Sequence, residues 1–222
     1  MANLIAIVGE SGSGKSRSFN GLNANETYII NVQGKPLPWR GSNASFNTEK
    51  KNITIQDNWT KVYEAIQGVA TNRTEIKNII IDDAGFIMST EYFKRASEGG
   101  YNKFSEIGQH MFNIIDLSKK LRADLNIIFT FHPEVETDIL GRTNKKIKTV
   151  GKMLDNSYTL EGSFTVVLYT QVTFDKDGQP SYQFVTNRTP DFPAKSPEGM
   201  FESLTIENDL KTVLEKVEQY YN

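Results

Sequence analysis

Short apolar runs alternate with helical patterns along the first two thirds of the chain. Strands are predicted where β-branched and aromatic residues cluster, at about 3–8, 27–32, 52–55, 76–82 and 125–131. Helices are predicted at about 15–22, 90–98 and 103–123, and another helix carries Val62, Ile66 and Val69 behind a cap at Asp57 or Asn58. Alternation of strands and helices favours an α/β fold with a mainly parallel sheet covered by helices.

The last third of the chain has a different pattern. Two β-rich runs within 163–187 flank an Asp-Gly pair at 177–178, which predicts a β-hairpin. Apolar residues at helical spacing predict a C-terminal helix at about 206–220. Two segments are predicted to be loops: 33–51, which is rich in Gly, Pro, Ser and Asn, and the basic segment 133–152. We therefore expect a single domain over 1–222 with its core in 1–132.

Composition narrows the possible functions only a little. The chain has 222 residues, of which 38% are hydrophobic and 23% charged, as in folded globular proteins. It contains no cysteine, which excludes disulfides and thiolate zinc sites and fits a reducing cytoplasm. No signal peptide or membrane span is predicted. The net charge of −2 means that any nucleic-acid binding must come from local patches.

Residues 9–16 match the phosphate-binding pattern G-x-x-x-x-G-K-[ST], directly after a predicted strand. The glycines let successive backbone N–H groups point at phosphate oxygens, and the start of a helix adds positive potential. We expect Lys15 to bind the β- and γ-phosphates of a nucleotide and Ser16 to bind Mg²⁺. The residues predicted to bind the nucleotide are Gly9, Glu10, Ser11, Gly12, Ser13, Gly14, Lys15, Ser16 and Arg17.

Two further strands end in polar residues that complete such a site. The strand at 78–82 ends in Asp82, and a carboxylate there would hold Mg²⁺ through water. The next residue, Asp83, either orients the attacking water as a base or caps the following turn. Thr130 and His132 stand where the 125–131 strand ends, so either could contact the γ-phosphate, although a histidine at this place can also be purely structural.

A cluster of basic residues follows the last of these strands. It comprises Arg142, Lys145, Lys146, Lys148 and Lys152. Such a segment can follow the backbone of single-stranded DNA, or it can be an ordinary solvated loop. The sequence alone leaves both readings open.

Taken together, these motifs resemble those of small phage ATP-binding proteins of the RecA-like class, which include the phage single-strand annealing ATPases. The motifs are residues 9–16, 79–82 and 130–132, followed by 150–152 and by Ala194-Lys195, so the resemblance covers most of 1–200. It implies a RecA-like P-loop NTPase sheet, ATP and Mg²⁺ as cofactors, rings or filaments of identical subunits, and a role on single-stranded DNA in phage recombination or replication. It also implies that Arg188 or Lys195 acts on the phosphates of a neighbouring subunit.

One position departs from that class. RecA-type ATPases carry a catalytic glutamate where the second strand ends, and here Gln33 stands there. A glutamine orients water but cannot accept its proton, so either Asp83 supplies the carboxylate, with Glu10 as a weaker substitute, or hydrolysis is slow.

Four functions are compatible with these residues. The first is an ATPase that works on single-stranded DNA in the cytoplasm of a phage-infected bacterium. The second is a module in which ATP switches binding to a partner, such as a single-strand binding or replication protein, with little hydrolysis. A small nucleotide kinase is the third, although the only basic segment is rich in lysine rather than arginine. A loader or packaging motor is the fourth.

Overall fold

The computed structural model describes residues 1–137, 143–151 and 158–221. Its strands are β1 Asn3–Val8, β2 Thr27–Asn31, β3 Ile53–Ile55, β4 Asn78–Asp82, β5 Asn126–Phe131, β6 Pro133–Thr137, β7 Thr143–Ile147, β8 Val166–Phe174, β9 Pro180–Val185 and β10 Thr205–Glu207. Its α-helices are α1 Ser42–Ser45, α2 Trp59–Asn72, α3 Gly85–Lys94, α4 Asn102–Lys119 and α5 Leu210–Tyr221. Short 3₁₀ helices lie at Ser16–Phe19 and Leu160–Ser163.

Eight strands form one sheet in the order β10-β9-β8-β1-β5-β4-β2-β3. The six strands from β8 to β3 are parallel, and β9 and β10 are added antiparallel. The predicted α/β fold with a mainly parallel sheet is confirmed. Because Val8 is in register with Phe131 and Asn31 with Asp82, the carboxyl ends of β1, β5, β4 and β2 meet at one edge.

Strand β1 shows how the sheet divides the apolar residues between two layers. Leu4, Ala6 and Val8 pack in a core under α2, α3 and α4, whereas Ile5 and Ile7 pack in a second core with Phe19 and α5. A strand buried on both faces needs an uninterrupted apolar run, which is what β1, β4 and β5 have. These central strands form the rigid base of the polar edge described below.

The helix predicted at 15–22 is wrong in length. Only the single 3₁₀ turn Ser16–Phe19 forms, because Asn20 is extended (φ −68°, ψ 114°) and Gly21 has a positive φ of 118°. Asn and Gly are poor helix formers, and together they end the helix after one turn.

The basic segment predicted as a loop over 133–152 is also corrected. Strands β6 and β7 pair antiparallel within it, with Pro133 opposite Ile147 and Thr137 opposite Thr143. Ile147 is buried, which anchors the base of this hairpin to the domain. The predicted DNA contacts Arg142 and Lys152 lie outside the described residues.

Other boundaries shift by a few residues. Helix α2 begins as predicted behind Asn58, whose side chain accepts a hydrogen bond from the Lys61 N–H at 3.2 Å. The C-terminal helix starts later than predicted, because residues 205–207 form β10 and Asp209 caps the helix by accepting a bond from the Lys211 N–H at 3.1 Å. The β8–β9 hairpin is confirmed, with Asp175 holding its turn.

Candidate functional site: a phosphate loop at the polar edge of the sheet

The loop after β1 has a backbone that only its glycines allow. Gly12 and Gly14 have φ values of 77° and 96°, in the left-handed region that side chains disfavour. A Cβ atom on Gly9 would lie 1.8 Å from Thr170 Oγ1 on β8 and 2.5 Å from Ser13 Oγ. Residue 9 must therefore be glycine for the loop to pack against β8.

Lys15 lies inside this loop with only 6% of its surface exposed. Its ammonium donates hydrogen bonds to the carbonyls of Gly9 at 2.8 Å and Glu10 at 2.9 Å. Burial lowers the pKa of Lys15, and the nearby carboxylates of Asp83 and Asp82 act in the opposite direction. The loop therefore holds a positive charge at the place where the motif predicts phosphates.

Ser16 and Asp82 bring two oxygen ligands together beside the loop. The Ser16 hydroxyl donates to Asp82 Oδ1 at 3.0 Å, and the Thr130 hydroxyl donates to the same oxygen at 2.8 Å. Burial, followed by the charge of Asp83, raises the pKa of Asp82. A buried carboxylate of this kind is a favourable place for a hard cation.

The residues present fit a magnesium ion that shares its ligands with a nucleotide. Over the described ranges, no group of three acidic or histidine side chains could hold a metal ion by itself. Mg²⁺ characteristically uses one or two protein ligands and completes its shell with water and phosphate oxygens. Ser16 and Asp82 are the two side chains placed to serve it.

Thr130 was predicted to contact the γ-phosphate, and the structure places it differently. Its side chain is fully buried, and besides its bond to Asp82 its hydroxyl accepts a hydrogen bond from the Asp83 N–H at 2.7 Å. Thr130 is therefore positioned to orient the two aspartates rather than to face a ligand.

Asp83 has an unusual backbone and two neighbouring side chains that contact its carboxylate. Its φ is +58°, a conformation that residues other than glycine rarely adopt. His132 Nε2 lies 3.3 Å from Oδ1, and Lys35 Nζ lies 3.2 Å from Oδ2. Burial alone would raise the pKa of Asp83, but its hydrogen bonds and charge interactions with His132, Lys35 and Lys15 lower it below the ordinary value. A strained backbone at a polar cleft is typical of functional sites.

These groups open into a cavity of about 460 Å³ at the edge of the sheet. Its lining residues are Ser11, Gly12, Gly14, Lys15, Ser16, Arg17, Asn31, Lys35, Pro36, Pro38, Asp82, Asp83, His132 and Tyr182. The loop, both aspartates and His132 thus line one cavity. Sequence reasoning did not identify Asn31, Lys35 and Tyr182 as lining residues. The Gly- and Pro-rich segment 33–51, which contains Lys35, was a signal for that part of the lining.

Gln33 and Glu10 do not line this cavity. Gln33 is half-buried beyond the end of β2, where Asn31 and Lys35 face the cavity instead. Glu10 borders a second cavity of about 320 Å³ on the other side of His132, together with Ser11, Phe86 and Lys148.

The described lysines of the basic hairpin differ in their surroundings. Lys145 lies over the ring of Phe192 at 4.2 Å, and Lys146 Nζ is 2.7 Å from Glu136 Oε1. Lys148 is exposed at the base of the hairpin and borders the second cavity. Among the described lysines of this hairpin, Lys148 is therefore the one best placed to bind a further ligand near the phosphate loop.

The two residues predicted to act on a neighbouring subunit lie away from the phosphate loop. Lys195 exchanges both backbone hydrogen bonds with Val167, at 2.8 and 2.9 Å, which fixes it beside β8. Burial lowers the pKa of its ammonium. Arg188 is exposed after β9. Neither lines the nucleotide cavity.

Comparison with known proteins assigns the sequence to a family. The sequence profile of an AAA domain matches residues 1–197. No curated protein matches the chain. None of the helices in the described part of the chain is both long and apolar enough to cross a membrane.

Proposed function

The chain belongs to the AAA domain family of P-loop nucleoside triphosphatases, and we propose that it binds ATP with Mg²⁺ and hydrolyses it. The observation that carries this proposal is the 3.0 Å hydrogen bond between Ser16 and Asp82, beside the buried Lys15. It joins the phosphate loop to the acidic strand in the arrangement that a metal-bound triphosphate requires.

Each residue at the edge has a role in this proposal. Lys15 exchanges its two carbonyl partners for phosphate oxygens, which carry more charge. Ser16 and Asp82 would hold the ion, and Thr130 keeps Asp82 in place. The chemistry that a bound Mg²⁺ would supply is neutralisation of negative charge on the phosphates.

Asp83 is the group we assign to orienting the attacking water. It lines the cavity, and its carboxylate is held from both sides by His132 and Lys35. Gln33 and Glu10, the other candidates from the sequence, do not line this cavity. A depressed pKa keeps Asp83 ionised at neutral pH, so it is available to accept a hydrogen bond from water.

We further propose that the ATPase acts on single-stranded DNA, in recombination or replication of a phage within the bacterial cytoplasm. Support comes from the resemblance described above and from Lys148, which is exposed and lines the second cavity together with Ser11 and His132. In this proposal the protein forms rings or filaments, in which Arg188 or Lys195 reaches a neighbour's phosphates, and a single-strand binding or replication protein is a partner.

A second candidate is an ATP-dependent switch with little hydrolysis. It is favoured by the ion pair between Lys35 and Asp83, which occupies the only carboxylate that we assign to water. In that case ATP would change the conformation at the edge of the sheet without being consumed.

The ATPase rate of the wild type and of Asp83→Asn, each with and without single-stranded DNA, tests these alternatives. We expect DNA-stimulated turnover in a large assembly on size exclusion, and a loss of about 100-fold or more in Asp83→Asn, as is usual when a catalytic base is removed. ATP binding without turnover would support the switch. Undiminished turnover in the variant would assign the water to another residue.

A further inference from the structure

The turn that follows β2 is built to present Lys35 to the cavity. The buried Asn31 side chain accepts a hydrogen bond from the Gly34 N–H at 2.8 Å and donates one to the Lys35 carbonyl at 2.6 Å. Gly34 allows the tight turn with a φ of +66°. Since Asn31 ends β2 and is in register with Asp82 on β4, the backbone of Lys35 is fixed to the same sheet that carries Asp82.

The contacts that the described residues make with the Lys35 side chain, in contrast, are at its terminal ammonium. Its ammonium lies 3.2 Å from Asp83 Oδ2 and 5.6 Å from the centroid of the Phe86 ring, while 63% of the side chain is exposed. An ion pair with one partner so exposed contributes little to stability, because water screens it and ordering the long side chain costs entropy. The contact with Asp83 is therefore easily exchanged for a stronger one.

A triphosphate provides that stronger partner. Lys35 and Lys15 line the same cavity, so two ammonium groups face the space next to the Ser16–Asp82 pair. Lys15 is expected to reach the β- and γ-phosphates from the loop, whereas Lys35 comes from the turn after β2 and lies beside Asp83, which also contacts His132. The terminal phosphate is the part of the ligand that would come to lie on that side.

We propose that Lys35 leaves Asp83 and binds the γ-phosphate when a nucleoside triphosphate enters, so that this lysine distinguishes ATP from ADP. This inference rests on the proposed function of the site. The same movement frees the Asp83 carboxylate to hold the attacking water, and it places a positive charge where negative charge develops during hydrolysis. Release of the γ-phosphate returns Lys35 to Asp83.

Calorimetry with Mg²⁺ and either ADP or the slowly hydrolysed analogue ATPγS tests this role. Lys35→Gln should weaken ATPγS binding about tenfold or more, the usual scale for losing a hydrogen bond between charged groups, but change ADP binding by less than about twofold. Lys50→Gln is the matched control. It removes the same charge from the same segment, where the Lys50 ammonium donates only to the Ala44 carbonyl, and it should change neither affinity.

The possible outcomes distinguish the role of Lys35 from nucleotide binding by the site as a whole. Equal losses for ATPγS and ADP, or no loss for either, would overturn the γ-phosphate role of Lys35 while leaving the nucleotide site intact. Failure of the wild type to bind either nucleotide would overturn the proposed function itself. A double variant provides a second check. Asp83→Asn should tighten ATPγS binding, because Asp83 no longer competes with the γ-phosphate for Lys35. This tightening should be smaller when Lys35→Gln is also present, because the lysine for which they compete is then gone.

Discussion

At the scale of single residues, the site shows how burial and pairing give neighbouring groups opposite properties. Asp82 and Asp83 are adjacent in sequence, yet burial raises the pKa of Asp82, whereas the hydrogen bond with His132 and the interactions with Lys35 and Lys15 lower the pKa of Asp83. The positive φ of Asp83 turns the two carboxylates to different partners. The Asp82 carboxyl thereby lies beside Ser16, where we propose that the metal binds, and the Asp83 carboxylate lines the cavity.

Asp82→Asn should stabilise the nucleotide-free protein while abolishing Mg²⁺-dependent nucleotide binding. When folding raises the pKa of a carboxyl, the folded state loses stability as the pH rises above the pKa of the unfolded state. At pH 7 the neutral amide of Asn avoids this cost of burying a charge. A gain of about 1 kcal/mol would raise Tm by about 2–4 °C for a chain of this size.

The thermal measurement has an internal check in its pH dependence. The advantage of Asp82→Asn should shrink as the pH falls through the raised pKa of the wild-type carboxyl toward the ordinary range of an aspartate. Asp116→Asn, which alters a surface ion pair between Asp116 on α4 and Lys120 directly after the helix, serves as control and should leave Tm nearly unchanged. A lower Tm for Asp82→Asn at pH 7 would contradict our assignment of a costly buried charge.

The sequence predicted the residues that belong to a continuous motif, and missed those that reach the site through folding. Lys15, Ser16 and Asp82 are recognisable because the spacing of the loop and the end of an apolar strand carry the information locally. Lys35 meets Asp83 across 48 positions of the chain, and Tyr182 arrives from β9. The local sequence pattern predicts neither of these contacts, because both depend on the order of the strands in the sheet.

At the scale of elements, most strands were predictable and the connections were less so. Strands β1, β4 and β5 carry strong apolar runs, whereas the polar β6 and β7 alternate too weakly to be distinguished from a basic loop. The pairing of β6 with β7 adds backbone hydrogen bonds that no residue pattern announced. As a result, charges predicted to be free in a loop acquire partners across the hairpin.

The hairpin lysines should contribute unequally to binding of single-stranded DNA. Lys148→Gln should weaken binding and lower the slope of log affinity against log salt by about 0.7, as expected for one lost phosphate contact. Lys146→Gln, whose ammonium already contacts Glu136 in the same hairpin, is the matched comparison and should have a smaller effect. Titration of a labelled oligonucleotide at several salt concentrations measures both slopes, and an unchanged slope for Lys148→Gln would exclude it as a DNA contact.

At the scale of the whole molecule, the sheet order explains why the ends of the chain meet at one site. Strand β1 occupies the centre, so its loop lies between the acids from β4 on one side and Tyr182 from β9 on the other. Asn208, next to β10, also comes close to Gly14. Occupancy of the cavity should therefore affect both the first and the last thirds of the chain.

The central claim is that the loop at residues 9–16 binds Mg²⁺-ATP, and calorimetry on the wild type and Lys15→Ala tests it most directly. Lys61→Ala, which removes an exposed lysine paired with Glu64 on α2, controls for the change of charge. We predict saturable binding to the wild type and to Lys61→Ala, and a loss of about 100-fold or more in Lys15→Ala, because the phosphates lose a buried charged partner. Equal affinity of Lys15→Ala and the wild type would contradict the account.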